Sequence, residues 1–312
     1  MNKKRFFMKK LGMLILLLCI CFAVLPSNVD AKKKAKTVKI HSFSSGNKKV
    51  DKKIRSIIKK QIKPKMSTAE RVKAIHDYII LNCKYDYKNY LKGTIPSKSY
   101  TAEGVILKKK AVCAGYAEAF QLFMDALGIP CKTITGTTPS GGHAWNIVKI
   151  NKKWYQIDLT WDDPVPDEKG RVVYNYFLIT DKQMKKDHRW NSSIKCKTSN
   201  NKFITLIGKV SKTKESAAKA LYEGCKKSSD KTTTIIVPKK LCAESVKSVG
   251  FTRELVDIIK EKYQERIISW SYIKSEYGSY NLITIKILQV EEIKKTDTQI
   301  PTTQTQTTPT EN

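Results

Sequence analysis

The run GGHAWNIVKINKKWYQID, residues 141–158, constrains this chain more than any other stretch. Two β-patterned segments, AWNIVKI and WYQID, flank Asn151-Lys152, which reads as a two-residue hairpin turn. With that turn, paired positions across the two strands sum to 303, so Trp145 faces Asp158. His143 then lies on the same face, diagonal to Asp158 and within reach of it. An unbulged three-residue turn would put the two side chains on opposite faces. Asp158 sits between Ile157 and Leu159, a position that buries it in part. A buried carboxylate needs a partner, and the imidazole is the natural one. Gly141-Gly142 lets the backbone turn sharply into the strand that carries His143.

Upstream, AVCAGYAEAFQLFMDALGI (111–129) predicts a helix from Ala114 to Leu127 with Tyr116, Phe120, Phe123, Met124 and Leu127 on one face. Gly128 and Pro130 end it. Cys113 falls just before its first turn, where unpaired amides and the helix dipole favour a thiolate. A single cysteine is more often a small inert core residue. Here a thiol, an imidazole and a carboxylate follow in the order Cys113, His143, Asp158, the parts of an activated cysteine nucleophile. Trp161, Asp162 and Asp163 have a plainer reading as a packed indole and a carboxylate-rich loop. A metal set of Asp158, Asp162, Asp163 and His143 lacks an EF-hand pattern, and neither a metal nor a cofactor is expected.

Around this centre the sequence predicts α+β architecture: helices near 51–62 and 67–84, a loop over 85–100, then strands at 131–136, 144–150, 154–158 and 176–180. Ser67, with Glu70 in the first turn, fits an N-cap. His76 and Asp77 inside that helix read as surface or packing residues. Past about residue 205 a small α+β region is expected to run to 290, with helices at 216–225, 239–249 and 252–264 and strands in TTTIIV, IISWSYI and LITIKILQ. It carries no chemical motif. Residues 296–312 are Thr/Gln-rich and expected to be disordered, and 32–50 read as a basic flexible lead-in.

Residues 1–31 have a basic n-region, an apolar run from Leu11 to Leu25 and Val29-Asp30-Ala31, the pattern of a signal peptide cleaved after Ala31. The expected location is therefore secreted or cell-wall associated, with membrane contact only through this segment if it stays uncleaved. The formal net charge is +31, from 59 Lys+Arg against 28 Asp+Glu. Such charge draws polyanions. No basic helix, zinc spacing or stacking motif accompanies it, so specific nucleic-acid binding is not expected and anionic cell-wall polymers are the nearer partner. Six cysteines follow Ala31, too widely spaced for a dense disulfide framework, and with Cys113 kept as a thiol at most two bridges can form.

AVCAGYAEAFQLFMDALGI, HAWNIVKI and WYQIDLTWDD resemble the three core motifs of the transglutaminase-like superfamily, relatives of papain-type peptidases. IHDYIILNCKYD upstream and NYFLIT with DHRW downstream resemble flanks of bacterial secreted members. The resemblance spans roughly 67–190 and implies a papain-like α+β catalytic domain, 51–200, with the cysteine helix packed on an antiparallel sheet. It implies Cys113 as nucleophile, His143 as general base and acid, and Asp158 as the orienting carboxylate, acting on protein or peptide amides. Animal transglutaminases are calcium-dependent and use a tryptophan upstream of the cysteine, whereas this chain has no tryptophan before Trp145. Neither calcium dependence nor cross-linking therefore carries over. The Cys113 N–H is the expected oxyanion donor, with a tyrosine such as Tyr100 second, and Tyr116, Trp145, Asn146 and Trp161 as supporting residues. The alternative is a wall-binding or scaffolding module that keeps the fold without turnover.

Overall fold

The computed structural model describes residues 37–168, 170–242 and 248–292. The expected signal peptide and the Thr/Gln-rich tail lie outside the described residues. Val38 onward belongs to one compact unit. Helix α1 (Lys48–Gln61) is capped by Asn47, whose side chain accepts from the Lys49 and Val50 amides, and it buries Val50, Ile54, Ile57 and Ile58. Helix α2 (Thr68–Asn82) starts in a reciprocal capping box between Ser67 and Glu70. The flexible lead-in expected over 32–50 is corrected from Val38 onward. Val38, Ile40 and Phe43 pack against the core, and the His41 N–H donates to Ala126 O at 2.8 Å. The apolar residues spaced along this segment have a hydrophobic surface to cover, which outweighs its basic composition.

The expected loop over 85–100 is instead built. Short parallel strands β1 (Lys84–Tyr85) and β2 (Lys110–Ala111) bring its start beside the cysteine segment. A short helix spans Tyr87–Lys92 and a single 3-10 turn spans Ser97–Tyr100. Buried Asp86 ties them together, accepting from Ser99 Oγ at 2.9 Å and from Asn89 Nδ2 at 2.9 and 3.0 Å. One buried carboxylate taking three hydrogen bonds from two side chains orders a segment whose own composition favours turns.

Helix α3 (Cys113–Leu127) is the core helix. Tyr116, Phe120, Phe123, Met124 and Leu127 are all buried, each worth about 1.5–3 kcal/mol in transfer from water. Gly128 closes it at φ +66°, with the Ile129 N–H returning to Met124 O at 2.9 Å. Helix α3 packs on an antiparallel sheet of β3 (Cys131–Thr138), β4 (Gly141–Ile150), β5 (Lys153–Ile157) and β6 (Arg189–Trp190), ordered β5-β4-β3-β6. On the helix side lie Val148, Ile150, Tyr155 and Ile157; on the other, Ile134, Trp145 and Ile147 form a second cluster with Ile179 and Met184. The β4–β5 hairpin turns at Asn151 (φ 49°) and Lys152 (φ 65°), and its register, Ile150↔Lys153 to Asn146↔Ile157, sums to 303 throughout. The expected strand at 176–180 is corrected: positive φ at Leu178 breaks it, leaving only a bridge from Ile179 to Gln156. The fourth strand is β6, on the opposite edge.

The C-terminal region has its own layer of helices α4 (Lys214–Lys227) and α5 (Ser248–Tyr263) on a sheet ordered β7 (Thr232–Pro238), β9 (Tyr280–Glu292), β8 (Glu265–Tyr277). The helix expected over 239–249 is a 3-10 turn at Lys239–Cys242, with 243–247 outside the described residues; Ser248 already belongs to α5. Ile236, Tyr277 and Leu282 join the first core, so this region is packed on the layer that holds α3 and its sheet.

Candidate active site

Cys113 is the first residue of α3, preceded by Val112, whose N–H donates to Ser99 O at 2.9 Å. The next residues must be small. A Cβ on Gly115 would lie 2.6 Å from Ser99 O and 2.9 Å from Thr101 O. Glycine there lets the segment bearing Tyr100 cross the first turn of the helix, beside the thiol.

His143 enters from β4. Its Nε2 lies 2.7 Å from Asp158 Oδ2, and the ring lines one cleft with Cys113, close enough for each to shift the other's pKa. Asp158 is fully buried, and its Oδ1 accepts from the Thr160 and Trp161 amides at 2.9 and 3.2 Å. Burial alone would raise the Asp158 pKa, but the charge and hydrogen bond of His143, with a further bond from His188, carry it down to about 2. Burial likewise opposes the His143 cation, yet Asp158 and then Cys113 outweigh it and lift the imidazole to about 10. The Cys113 thiol is pushed up by burial and pulled further down by the His143 hydrogen bond and charge and by the Ala144 and Ala114 amides, ending below its ordinary value. The shifts of Cys113 and His143 both favour the thiolate–imidazolium form of the pair, set on a carboxylate held low.

A residue that sequence reasoning missed completes this set. His188, fully buried, points Nε2 at the same Asp158 Oδ2 at 3.1 Å, while its Nδ1 lies 2.6 Å from Asp187 Oδ1. Asp187 Oδ2 in turn accepts from the Tyr176 hydroxyl at 2.6 Å. The DHRW flank was a signal in the sequence, although nothing local tied it to Asp158. His76, read as surface or packing, is wholly buried and belongs to the core. Its Nε2 lies 3.1 Å from Asp162 Oδ2 and its Nδ1 2.9 Å from Asp77 Oδ1.

The expected supporting residues divide. Tyr100 is half-exposed and lines a cleft of about 420 Å³ that opens on Cys113 and His143. Trp161 lines the same cleft, with its ring 6.0 Å from that of His143 and 4.5 Å from that of His188. Trp145 is buried behind the site, stacked on His143 at 5.8 Å, with Nε1 donating to Gln156 Oε1 at 2.8 Å. Two expectations are corrected. The Tyr116 hydroxyl is committed to Asp163 Oδ2, so it is not available to an oxyanion. Asn146 lies on the other face of β4, where it bonds Ala117 O at 3.1 Å and Thr133 Oγ1 at 3.2 Å and ties α3 to the sheet. Tyr85, which the sequence did not single out, lines the cleft and feels the Cys113 charge; burial and then that charge raise its pKa.

Ligand atoms of His143, Asp158 and His188 lie within 4.8 Å of one another. Both imidazole Nε2 atoms lie within hydrogen-bond distance of the one carboxylate oxygen, at 2.7 and 3.1 Å. Asp162 and Asp163, considered with them as ligands, bond instead to His76 and Tyr116. The six cysteines of the described residues are all free thiols.

Residues 55–159 match the sequence model of the Transglutaminase-like superfamily. Kyphoscoliosis peptidase of Mus musculus is 27% identical over 139 residues, which cover 39% of this chain and 21% of that protein. The Homo sapiens protein of the same name is 27% identical over 136 residues, 38% of this chain and 20% of its own length. The matched part thus spans about a fifth of these curated relatives. A solved structure described as a TGase is similar at 24% identity and a TM-score of 0.31, covering 36% of this chain and 30% of that one. Through residues 55–159, this chain carries a domain of the transglutaminase-like superfamily.

Proposed function

We propose that this chain is a thiol enzyme that opens amide or peptide bonds through a thioester on Cys113. The observation that carries the reading is the imidazole of His143, bonded to buried Asp158 at 2.7 Å and sharing with Cys113 the lining of one cleft. The Cys113 thiolate attacks the carbonyl carbon, and the oxyanion that forms is met by the Cys113 N–H and by a hydroxyl from Tyr85 or Tyr100. The His143 imidazolium gives its proton to the departing nitrogen, releasing an amine and leaving the acyl group on sulfur. His143, now neutral, takes a proton from water, which attacks the thioester; the acid leaves and the thiolate returns. Asp158 holds the ring in one tautomer and stabilises its cation through both steps.

A primary amine in place of that water would make the reaction acyl transfer. The absence of tryptophan before Trp145 and the peptidase name of the curated relatives favour water. Secretion and cell-wall or surface peptides as substrates follow from the N-terminal pattern and the net charge of +31. The test is incubation of wild type and Cys113→Ala with peptides and a labelled primary amine. Cleavage lost in Cys113→Ala supports hydrolysis, and amine incorporation lost in the same variant moves the reading to acyl transfer. No reaction, with Cys113 alkylated no faster than a free thiol, sinks the enzyme and leaves a scaffolding module.

A further inference from the structure

The cleft beside Cys113 has an unusual lining. Tyr85, Tyr87, Tyr90 and Tyr100 form one wall and Trp161 the other, with Val165 at the mouth. Tyr87, Tyr100 and Val165 are 46, 48 and 46% exposed, and Leu91, on the same short helix as Tyr87, is 65% exposed. Contiguous apolar surface of this kind is a place to be covered by something else. The tyrosine wall is also held in position. Asp86 fixes its base through Ser99 and Asn89, and the Tyr90 hydroxyl reaches across to Ser140 O at 3.2 Å. Tyr85 and Tyr90 meet at a tilt of 60° with centroids 6.0 Å apart, which leaves ring edges and faces turned to the space between the walls. Rings arranged this way favour another ring, at offset or edge-on contact.

We propose that the cleft selects polypeptide substrates by an aromatic side chain on the residue that supplies the scissile carbonyl, seated between Tyr85, Tyr100 and Trp161. This rests on the reading of Cys113 as nucleophile and adds the substrate class. The space suffices: a cavity of about 150 Å³ holds a benzene ring, and the cleft offers about 420 Å³. Aromatic walls can also hold a cation, but the charges here oppose one. Lys88 and Lys92 are exposed on the tyrosine-wall helix, and residues 87–102 contain no acidic side chain. The one carboxyl of the lining, Asp163, is bonded by the Tyr116 hydroxyl and raised by burial to about 7, with Asp167 adding to the rise and His76 and Lys84 opposing it. It is therefore only partly ionised near neutral pH, and its oxygen is already taken by Tyr116.

The experiment separates the seat from the chemistry. Tetrapeptide amides differing at one residue (Phe, Leu, Gly, Lys or Glu) are titrated into full-length Cys113→Ala, while iodoacetamide labelling of wild type reads the thiol independently. The Phe peptide should bind at least about tenfold tighter than the Gly peptide, as one buried aromatic contact allows. That preference should fall below about threefold in Cys113→Ala/Tyr100→Ala, and persist in Cys113→Ala/Tyr87→Ala, whose ring lies outside the seat. Equal binding of Phe and Gly, or tightest binding of Lys, overturns the aromatic seat. Slow iodoacetamide labelling of Cys113 overturns the nucleophile instead and leaves the binding result to be read by itself.

Discussion

Two hydrogen-bonded chains of the same four residue types run side by side through this domain. One is Asp158–His188–Asp187–Tyr176 and the other Asp162–His76–Asp77–Tyr174, each with a buried histidine between two carboxylates and a tyrosine hydroxyl at the far end. Their leading carboxylates, four residues apart and both fully buried, behave in opposite ways: burial holds Asp162 up to about 6, while Asp158 falls to about 2. The difference lies in what each carboxylate meets. Asp158 takes the imidazoles of His143 and His188 and the amides of Thr160 and Trp161, whereas Asp162 has His76, one backbone N–H from Tyr176 and the repulsion of the Asp158 charge. Burial opposes both charges, and the fuller set of partners is what keeps Asp158 ionised.

The sharpest break of this comparison is Asp158→Asn. It should lower thiol-dependent turnover by about four orders of magnitude through the wrong His143 tautomer, whereas Asp162→Asn should not approach that loss; peptide hydrolysis rates decide. His143→Ala tests the charge state. A depressed thiol pKa keeps more of wild-type Cys113 as thiolate while pH falls, so its alkylation rate should fall less steeply from pH 8 to pH 6 than that of the variant. In the variant the rate should drop about tenfold per unit below the ordinary value near 8.5. A parallel fall in both proteins would remove the ion pair. His76→Gln should act on stability, since breaking a buried pair costs about 3–5 kcal/mol; Tm should fall while alkylation per folded molecule stays constant. His188→Gln should lie between, with about a tenfold loss of turnover from the lost hydrogen bond to the Asp158 carboxylate, and a displaced pH–rate profile that a purely structural residue would leave in place. Smallest are Tyr176→Phe and Tyr174→Phe, each removing one hydrogen bond of about 0.5–1.5 kcal/mol, readable as a shift in denaturation midpoint.

What the sequence made legible was whatever is set by local period and turn length. The helix opening at Cys113, its αL stop at Gly128 and the hairpin register that brings His143 to Asp158 all follow from residues within one or two turns or pairs of strands. What it hid were contacts between distant segments. His188 lies 30 positions beyond Asp158 and His76 lies 86 before Asp162, and neither distance has a repeat that announces it. The adjacent His76-Asp77 and Asp187-His188 pairs were the one available hint. YFLIT misled because a β-rich composition says nothing of Leu178, which turns at φ 54°. The 85–100 segment misled in the other direction. Its turn-rich residues are ordered by Asp86, a single carboxylate that looks ordinary in print.

The two walls of the cleft differ in how freely they can change over evolutionary time. Six consecutive residues, Asp158 to Asp163, are each committed: to His143 and His188, to the core, to the turn at Thr160, to the imidazoles against Trp161, to His76 and to Tyr116. The cleft side chains Tyr87 and Tyr100 are about half exposed, on a segment anchored by buried Asp86 and Ser99. A lineage of such proteins would therefore diversify its substrates by drift on the tyrosine wall alone, with the opposite wall frozen by the chemistry it carries.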